Sequence, residues 1–508
     1  MIELSAAEIA AITQGQLTTT AEARHNQIVS SVTVDSRDVQ PGALFVAKPG
    51  ETTDGHQFVP QAFRNGAALA LVERPVAAED GDESGEYPAV VVDDVVLAMG
   101  RLATEVVRRL RAHSPLTVIG ITGSAGKTTT KDLLAGILSE HGPTVAPIGS
   151  YNGEVGVPLT VFGADYNTRY LIIEMGATKI GHITYLATMV APDIGVVLGV
   201  GSAHAGEFGG VDNIATAKSE LLRALPEAGT AIINADDPRV LAMEAVTVAR
   251  KLYFTSDNSQ VPAGGPVVRA TTITTTAEGH PAFELGLPGA HDSTTFPVTS
   301  RLIGTHQITN LLAAASIAAA LGVPGADIAG ALSQLGAQSR WRMERTERAD
   351  GVTVINDAYN ANPESMRAAL RTVAELGRGR RTWAVLGEML ELGDDSIAEH
   401  DAVGRVVVRL NISKLLVVGM GARALYNGAV LEGSWGDEVV FAADVAAAEE
   451  MLKTALRPGD LVLFKSSNGA GLRFLGDRIA LSSTETPSTA TPGTSVPGPT
   501  DLQGGPQL

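Results

Sequence analysis

The sequence predicts an α/β protein: a central P-loop domain on a parallel sheet, an α/β unit before it and a Rossmann-like α/β unit after it. Two observations carry this. Residues 116–134, LTVIGITGSAGKTTTKDLL, run from a branched apolar stretch through a glycine turn into a helix start, which reads as a buried strand feeding a phosphate-binding loop. Apolar runs of strand length then alternate with helical stretches as far as residue 481, and such alternation argues for parallel sheets wound on both faces. The composition agrees, since Ala, Val, Leu and Gly dominate and aromatic residues make up only 4% of the chain.

A length of 508 residues suits about three domains. The boundaries fall at 1–112, 113–336 and 337–481, with a Ser/Thr/Pro/Gly-rich tail at 482–508 that reads as disordered. A net charge of −18 argues against a broad basic surface for nucleic acid. The absence of cysteine excludes disulfides, zinc–thiolate sites and thiol nucleophiles. Residues 1–15 read as an acidic amphipathic helix and not as a signal peptide, and no apolar run is long enough to span a bilayer. A soluble, cytoplasmic protein without membrane insertion is expected.

The central loop carries the plainest chemistry. Gly123, Ser124, Ala125 and Gly126 make the turn, and Lys127, Thr128 and Thr129 open the helix. Free backbone N–H groups and the positive end of the helix dipole meet there, which suits a phosphate. Lys127 can reach the outer phosphates and the Thr128 hydroxyl is placed for Mg2+. Strict Walker A spacing would need glycine at Ile121, so the match is to the shorter G-x-x-G-K-T form.

In the first unit, strands are expected at 31–35, 43–47, 68–72 and 89–92. The turn-rich line between them offers Ser36, Arg37, Asp54, Gly55 and His56 as ligand contacts, although ordinary turn chemistry accounts for the same residues. In the second unit, strands are expected at 170–174, 194–200 and 230–234, a helix at 211–225, an antiparallel Thr-rich excursion at 267–300 and an Ala/Leu helix at 311–321. Glu174 ends the strand YLIIE, and residues 199–204 follow the next strand, so both point to the sheet edge that carries the phosphate loop. Glu174 is therefore a Mg2+ candidate, and His204 divides evenly between metal ligand and bystander. Lys218, in ATAKSELL, reads alone as a solvated helical lysine.

In the third unit, strands are expected at 352–355, 382–386, 414–418, 439–441 and 461–465. Asp357 ends the strand TVIND and is a candidate for a ribose hydroxyl, while Asn362 before Pro363 makes a good helix N-cap. Arg340 and Arg342, in SRWRMER, follow the unit boundary, where a hinge arginine could clamp a γ-phosphate.

The ordered motifs TGSAGKTTT, SYNGEVGVPLT, IIEMGAT, GSAHAGEFGG, AKSELL, INADDP, GTHQITNLLAAA and DAYNANPESM resemble those of the Mur ligases, the ATP-dependent amide-forming enzymes of peptidoglycan precursor synthesis. The resemblance covers the chain to about residue 481 and implies the three-domain Mur ligase architecture. The first domain would hold the UDP end of a sugar-peptide, the second ATP and Mg2+, and the third the incoming amine. DAYNANPESM and GEMLELG are similar to the member that joins D-alanyl-D-alanine (D-Ala-D-Ala) to UDP-N-acetylmuramoyl-tripeptide (UDP-MurNAc-tripeptide). The alternative is the preceding ligase, which adds diaminopimelate or lysine to UDP-MurNAc-dipeptide. That enzyme typically carries a DNPR-type motif in its last domain, and none occurs here, since Asp237-Pro238-Arg239 lies in the second unit. A folylpolyglutamate synthase-like ligase and a nucleotide-binding regulator are further rivals. The UDP-domain-like first unit speaks against the former, and a regulator would not need the set Glu174, His204 and Lys218.

The resemblance also assigns roles. Residues 123–129 would bind ATP, Asn310 would contact adenine, and Arg342 and Asp357 would meet the nucleotide from the third domain, Arg342 being preferred to Arg340 because Arg342-Met343-Glu344 fits an Arg-x-Glu pattern. Thr128, Glu174, His204 and Lys218 would hold Mg2+, Lys218 as a carbamate, and Lys127, His204 and Lys218 form the expected catalytic set. Ser36, Arg37, His56, Asn152, Tyr359, Asn360 and Asn362 would contact substrates. Asn152 is a weakened candidate because Gly153 stands where the family often has a second Asn. The implied reaction passes through an acyl phosphate, with domain closure over ATP, and a monomer is expected.

Overall fold

The computed structural model describes residues 1–482 apart from 51–52, 79–84, 202–207, 257–260, 263, 290–294 and 434–435. The expected tail lies, from residue 483, outside the described residues. Three large sheets organise the rest.

The first sheet has five strands, in the order Gln16–Leu17, Ala89–Val91, Leu69–Val72, Ala43–Val46 and Ser31–Thr33. All its pairings are parallel except that of Gln16–Leu17. The opening helix is shorter than its apolar pattern suggests, Ala6–Thr13. Ser5 and Glu8 form a reciprocal capping box at its start, and Gln14 ends it in the left-handed conformation with φ 59°. The long helix Val95–His113 starts at Asp94, whose carboxylate accepts from the N–H groups of Val96 and Leu97. It buries Leu102 and Val106 in one continuous core with Leu4 and Ile9 on one side and Leu171 and Ile183 on the other. This shared core joins the first sheet to the central one.

The central sheet has nine strands, in the order Thr295–Thr299, Pro281–Gly286, Val267–Thr275, Arg250–Thr255, Thr230–Asn234, Ile194–Val197, Thr117–Thr122, Tyr170–Glu174 and Thr144–Val145. Pairing is parallel from Thr144–Val145 to Val267–Thr275 and antiparallel beyond. The strand expected at 194–200 stops at Val197. Side chains take over there: Asn234 donates to the Leu198 oxygen at 2.7 Å, and Asp237 accepts from Val200 N at 2.8 Å. The chain crosses to the other side of Thr117–Thr122 after Tyr170–Glu174, so the phosphate loop sits at a topological switch point.

The third sheet has six strands, in the order Glu344–Glu347, Thr353–Asn356, Leu461–Lys465, Thr382–Leu386, Lys414–Val418 and Val439–Ala442. Only its first pairing is antiparallel. Separate apolar cores fill its two faces. Among the described residues, no helix is long and apolar enough to cross a membrane.

Candidate active site

Thr117–Thr122 is almost wholly buried and delivers the chain to the loop at residues 123–126, after which Lys127–Ser139 is helical. The loop is pinned to the neighbouring strand end: Ser124 N donates to the Gly199 oxygen at 3.0 Å, and Ser124 Oγ accepts from Gly201 N at 2.9 Å. Gly126 has φ 83°, and a Cβ there would lie 2.1 Å from Asn310 Oδ1, so both conformation and space demand glycine. The helix carries no side-chain cap at its N-terminus and opens onto a cavity of about 1120 Å3. Uncapped N–H groups facing a cavity form an anion site.

Lys127 folds its ammonium back to the Gly123 oxygen at 2.8 Å. Burial holds this ammonium below the ordinary lysine range; Glu174 opposes that shift and Arg342 adds to it. An anion bound in the loop would restore the balance.

Register fixes the oxygen cluster beside the loop. Glu174 pairs with Ile121, one residue before the loop strand ends. Its fully buried carboxylate accepts from Thr128 Oγ1 at 3.0 Å, Ser150 Oγ at 2.8 Å and Asn152 Nδ2 at 2.9 Å. Among the described residues, no group of three or more His, Cys, Asp or Glu forms a metal cage. One carboxylate with a threonine hydroxyl suits Mg2+, a hard cation that keeps waters and takes its other ligands from substrate phosphates.

Lys218 lies on the helix Val211–Arg223 and lines the same cavity while only 5% exposed. Burial, with a smaller contribution from Lys127, pulls its ammonium down to about 7. The solvated-lysine reading therefore fails: the helix turns this residue inward. His204 lies outside the described residues.

The third domain closes the far wall with Arg342, Asp357, Tyr359, Asn360 and Asn362. Arg342 stacks over the Tyr359 ring at 4.5 Å, and its Nη2 is 3.5 Å from Thr128 Oγ1. Arg340 instead points to solvent, 58% exposed, and pairs with Asp477 at 2.9 Å. Asp357 accepts from Met343 N at 3.0 Å and from Lys465 Nζ at 2.5 Å. Asn310 is buried and donates to Gln307 Oε1 at 2.7 Å.

The first-domain candidates do not join this cavity, whose first-domain wall includes Val34 and Lys48. Arg37 is exposed and pairs with Asp35 at 2.6 Å. The Ser36 main-chain oxygen accepts from Asn65 Nδ2 at 2.7 Å. His56 is buried, with Nδ1 2.6 Å from Asp54 Oδ1 and Nε2 accepting from Glu73 N at 2.9 Å.

Sequence reasoning missed Ser150, His306 and Lys465, which also line the cavity. Burial lowers His306 to about 4, so it is neutral near pH 7. The GTHQITN motif, whose last four residues open the helix Gln307–Ala320, was the available signal for it. Lys465 ends an expected strand, as Glu174 does, but nothing in its local sequence shows that it faces Asp357.

Family models cover most of the chain. Residues 28–106 match the model described as Mur ligase family, catalytic domain; residues 121–318 match Mur ligase middle domain; residues 341–468 match Mur ligase, glutamate ligase domain. The UDP-N-acetylmuramoyl-tripeptide–D-alanyl-D-alanine ligase of Mycobacterium tuberculosis (strain ATCC 25618 / H37Rv) is 44% identical over 522 residues, covering 95% of this chain and 99% of the relative. The protein of the same name from Escherichia coli (strain K12) is 34% identical over 433 residues, covering 85% and 91%. A crystal structure of MurF from Acinetobacter baumannii superposes with a TM-score of 0.80 at 31% identity, covering 95% of this chain and all of that one. The MurF ligase of Thermotoga maritima in complex with ADP superposes with a TM-score of 0.72 at 25% identity, covering 89% and 97%.

Proposed function

This chain belongs to the Mur ligase family, and we propose that the cavity between its three domains is where it joins D-Ala-D-Ala to UDP-MurNAc-tripeptide. The chain is an ATP-dependent, amide-forming ligase of peptidoglycan synthesis. The preceding ligase of the pathway is not favoured, since the relatives that span nearly the whole chain carry the tripeptide ligase name.

The observation that carries the catalytic reading is the convergence of Lys127, Thr128 and Glu174 from the central sheet with Arg342 from the third domain on one cavity. The terminal carboxylate of the tripeptide attacks the γ-phosphorus of ATP, ADP leaves, and an acyl phosphate forms. The amine of D-Ala-D-Ala attacks the acyl carbon, phosphate departs, and the nitrogen gives up a proton. Lys127 and Arg342 hold the transferring group between two cations, which is positional and electrostatic work. Residues 123–129 seat the phosphates and Asn310 meets the adenine, while Asp357 supports the nucleotide from the third domain. Thr128, Glu174, His204 and a carbamylated Lys218 would hold Mg2+, which supplies charge neutralisation on the phosphates. Asn152 serves the sugar-peptide, and Tyr359, Asn360 and Asn362 the incoming dipeptide, all four lining the cavity. A cytoplasmic monomer fits this reading.

The test is phosphate release from ATP with paired substrates. Turnover with UDP-MurNAc-tripeptide and D-Ala-D-Ala, with the amide product identified by mass, is expected. Turnover confined to UDP-MurNAc-dipeptide with diaminopimelate or lysine would reassign the chain to the preceding step.

A further inference from the structure

We propose that Lys465 is a positioning residue for phosphoryl transfer: it fixes Asp357, and through Asp357 it holds the backbone turn that presents Arg342 to the phosphate loop. The proposal rests on the reading above that Arg342 meets the transferred phosphate.

Lys465 ends the strand Leu461–Lys465 and is 2% exposed. Its neighbour Phe464 pairs with Asn356, so Lys465 and Asp357 leave adjacent strands side by side. The ammonium donates to Asp357 Oδ2 at 2.5 Å, to the Asp357 main-chain oxygen at 3.3 Å and to the Asn360 main-chain oxygen at 3.0 Å. Three bonds use all three ammonium protons, so this lysine supports protein groups and has none to spare for a ligand.

The other carboxylate oxygen of Asp357 accepts from Met343 N at 3.0 Å. Met343 has φ 53° and Trp341 has φ 59°, so two non-glycine residues stand in the left-handed region on either side of Arg342. Bulky residues adopt that conformation only where their surroundings impose it. The surroundings here are specific. Glu344 Oε2 accepts from Trp341 N at 2.9 Å, and upstream Ser339 donates through N and Oγ to Asp132 of the phosphate-loop helix at 3.2 and 2.6 Å. The Asp357–Lys465 pair closes the downstream end.

The outcome is a fixed guanidinium. It lies over Tyr359, its Nη2 reaches toward Thr128, and its Nε is buried with no hydrogen-bond partner among the described residues. Arg342 lines the phosphate-loop cavity, and a fixed guanidinium there suits an anionic oxygen. Removing the Lys465 charge leaves the Asp357 carboxylate buried and uncompensated, which frees it to turn away from Met343 N.

The experiment compares Lys465→Met, Arg342→Ala and the double variant in the full reaction, with kcat and the KM for ATP measured separately and thermal melting as a control. Lys465→Met is expected to lower kcat by about 10- to 100-fold while the KM for ATP stays within about threefold. The double variant is expected to be no slower than Arg342→Ala, because the lysine acts through the arginine. Multiplying losses, or wild-type turnover of Lys465→Met beside a slow Arg342→Ala, would overturn the proposal. Wild-type turnover of Arg342→Ala would instead remove the reading of Arg342, and the proposal with it. Should Lys465→Met fail to fold, Lys465→Gln keeps a donor toward Asp357 but removes the charge. The same non-additivity with Arg342→Ala is expected there, and additivity would again overturn the proposal.

Discussion

Asn362 Nδ2 donates to the main-chain oxygen of Ser124 at 3.3 Å, tying the third domain to the phosphate loop. The same amide caps the helix Pro363–Leu376, with Oδ1 accepting from Ser365 N at 2.9 Å and Ser365 Oγ accepting from Asn362 N at 3.0 Å. Its oxygen therefore serves stability and its nitrogen serves the cavity. Asn362→Asp keeps the cap but sets a carboxylate against a carbonyl oxygen and the expected phosphates. Its melting temperature should stay near wild type while the KM for ATP rises about tenfold. Asn362→Ala should lose about 1 kcal/mol of stability as well. Denaturant melts and ATP titrations of both variants check the split.

The Glu174 carboxylate accepts from Thr128 Oγ1, and three donors fix its orientation. Glu174→Gln preserves the shape and removes the charge. The Mg2+ concentration for half-maximal phosphate release should rise about tenfold or more, since Mg2+ binding at such sites depends on one or two carboxylates. An unchanged Mg2+ titration would remove Glu174 from the metal site.

The parts of this site that were legible in the sequence are those built from contiguous residues or from a strand end. Residues 123–129 announce a phosphate loop locally, and Glu174 was placed because a residue closing a strand next to the loop strand must reach the same edge. Lys465 also ends an expected strand, but its bond to Asp357 was not legible, because it depends on pairing with a strand more than a hundred residues away. Lys218 was misread from its residues alone, since a lysine among helical residues gives no sign of which face turns inward. The first-unit turn chemistry, weighed as an alternative for His56, matches what the histidine does in the structure, where it bridges Asp54 and Glu73 N. The three sheets followed from alternating runs, although the strand Arg250–Thr255 was missed despite its strand-forming Leu252-Tyr253-Phe254-Thr255.

Gly126→Ala should abolish ATP binding without unfolding the chain. The position has φ 83°, and the added methyl would collide with the Asn310 side chain. The left-handed conformation alone costs an alanine about 1–2 kcal/mol, so the loop must move to relieve both. Nucleotide titration by calorimetry should lose its heat while circular dichroism stays wild type. Retained binding would show that the loop tolerates a Cβ and that Asn310 can yield.

Lys218 gives the pH prediction. Burial brings its ammonium down to about 7 from the ordinary 10.5, so near neutral pH the uncharged amine is far more populated than for a solvated lysine. Only that form can attack CO2, and the carbamate proposed above would be an oxygen ligand for Mg2+. As pH falls through 7, protonation removes the nucleophile and the carbamate fraction falls; above 7 the amine is ready. Turnover in CO2-depleted buffer should drop about tenfold and return on adding bicarbonate, with more bicarbonate needed at about pH 6 than at about pH 8. Lys218→Ala should be slow and indifferent to bicarbonate. A carbamate carbon signal from 13C-bicarbonate should appear in the wild type and vanish in Lys218→Ala. Wild-type turnover of Lys218→Ala would show that the buried amine serves only the packing of the helix Val211–Arg223.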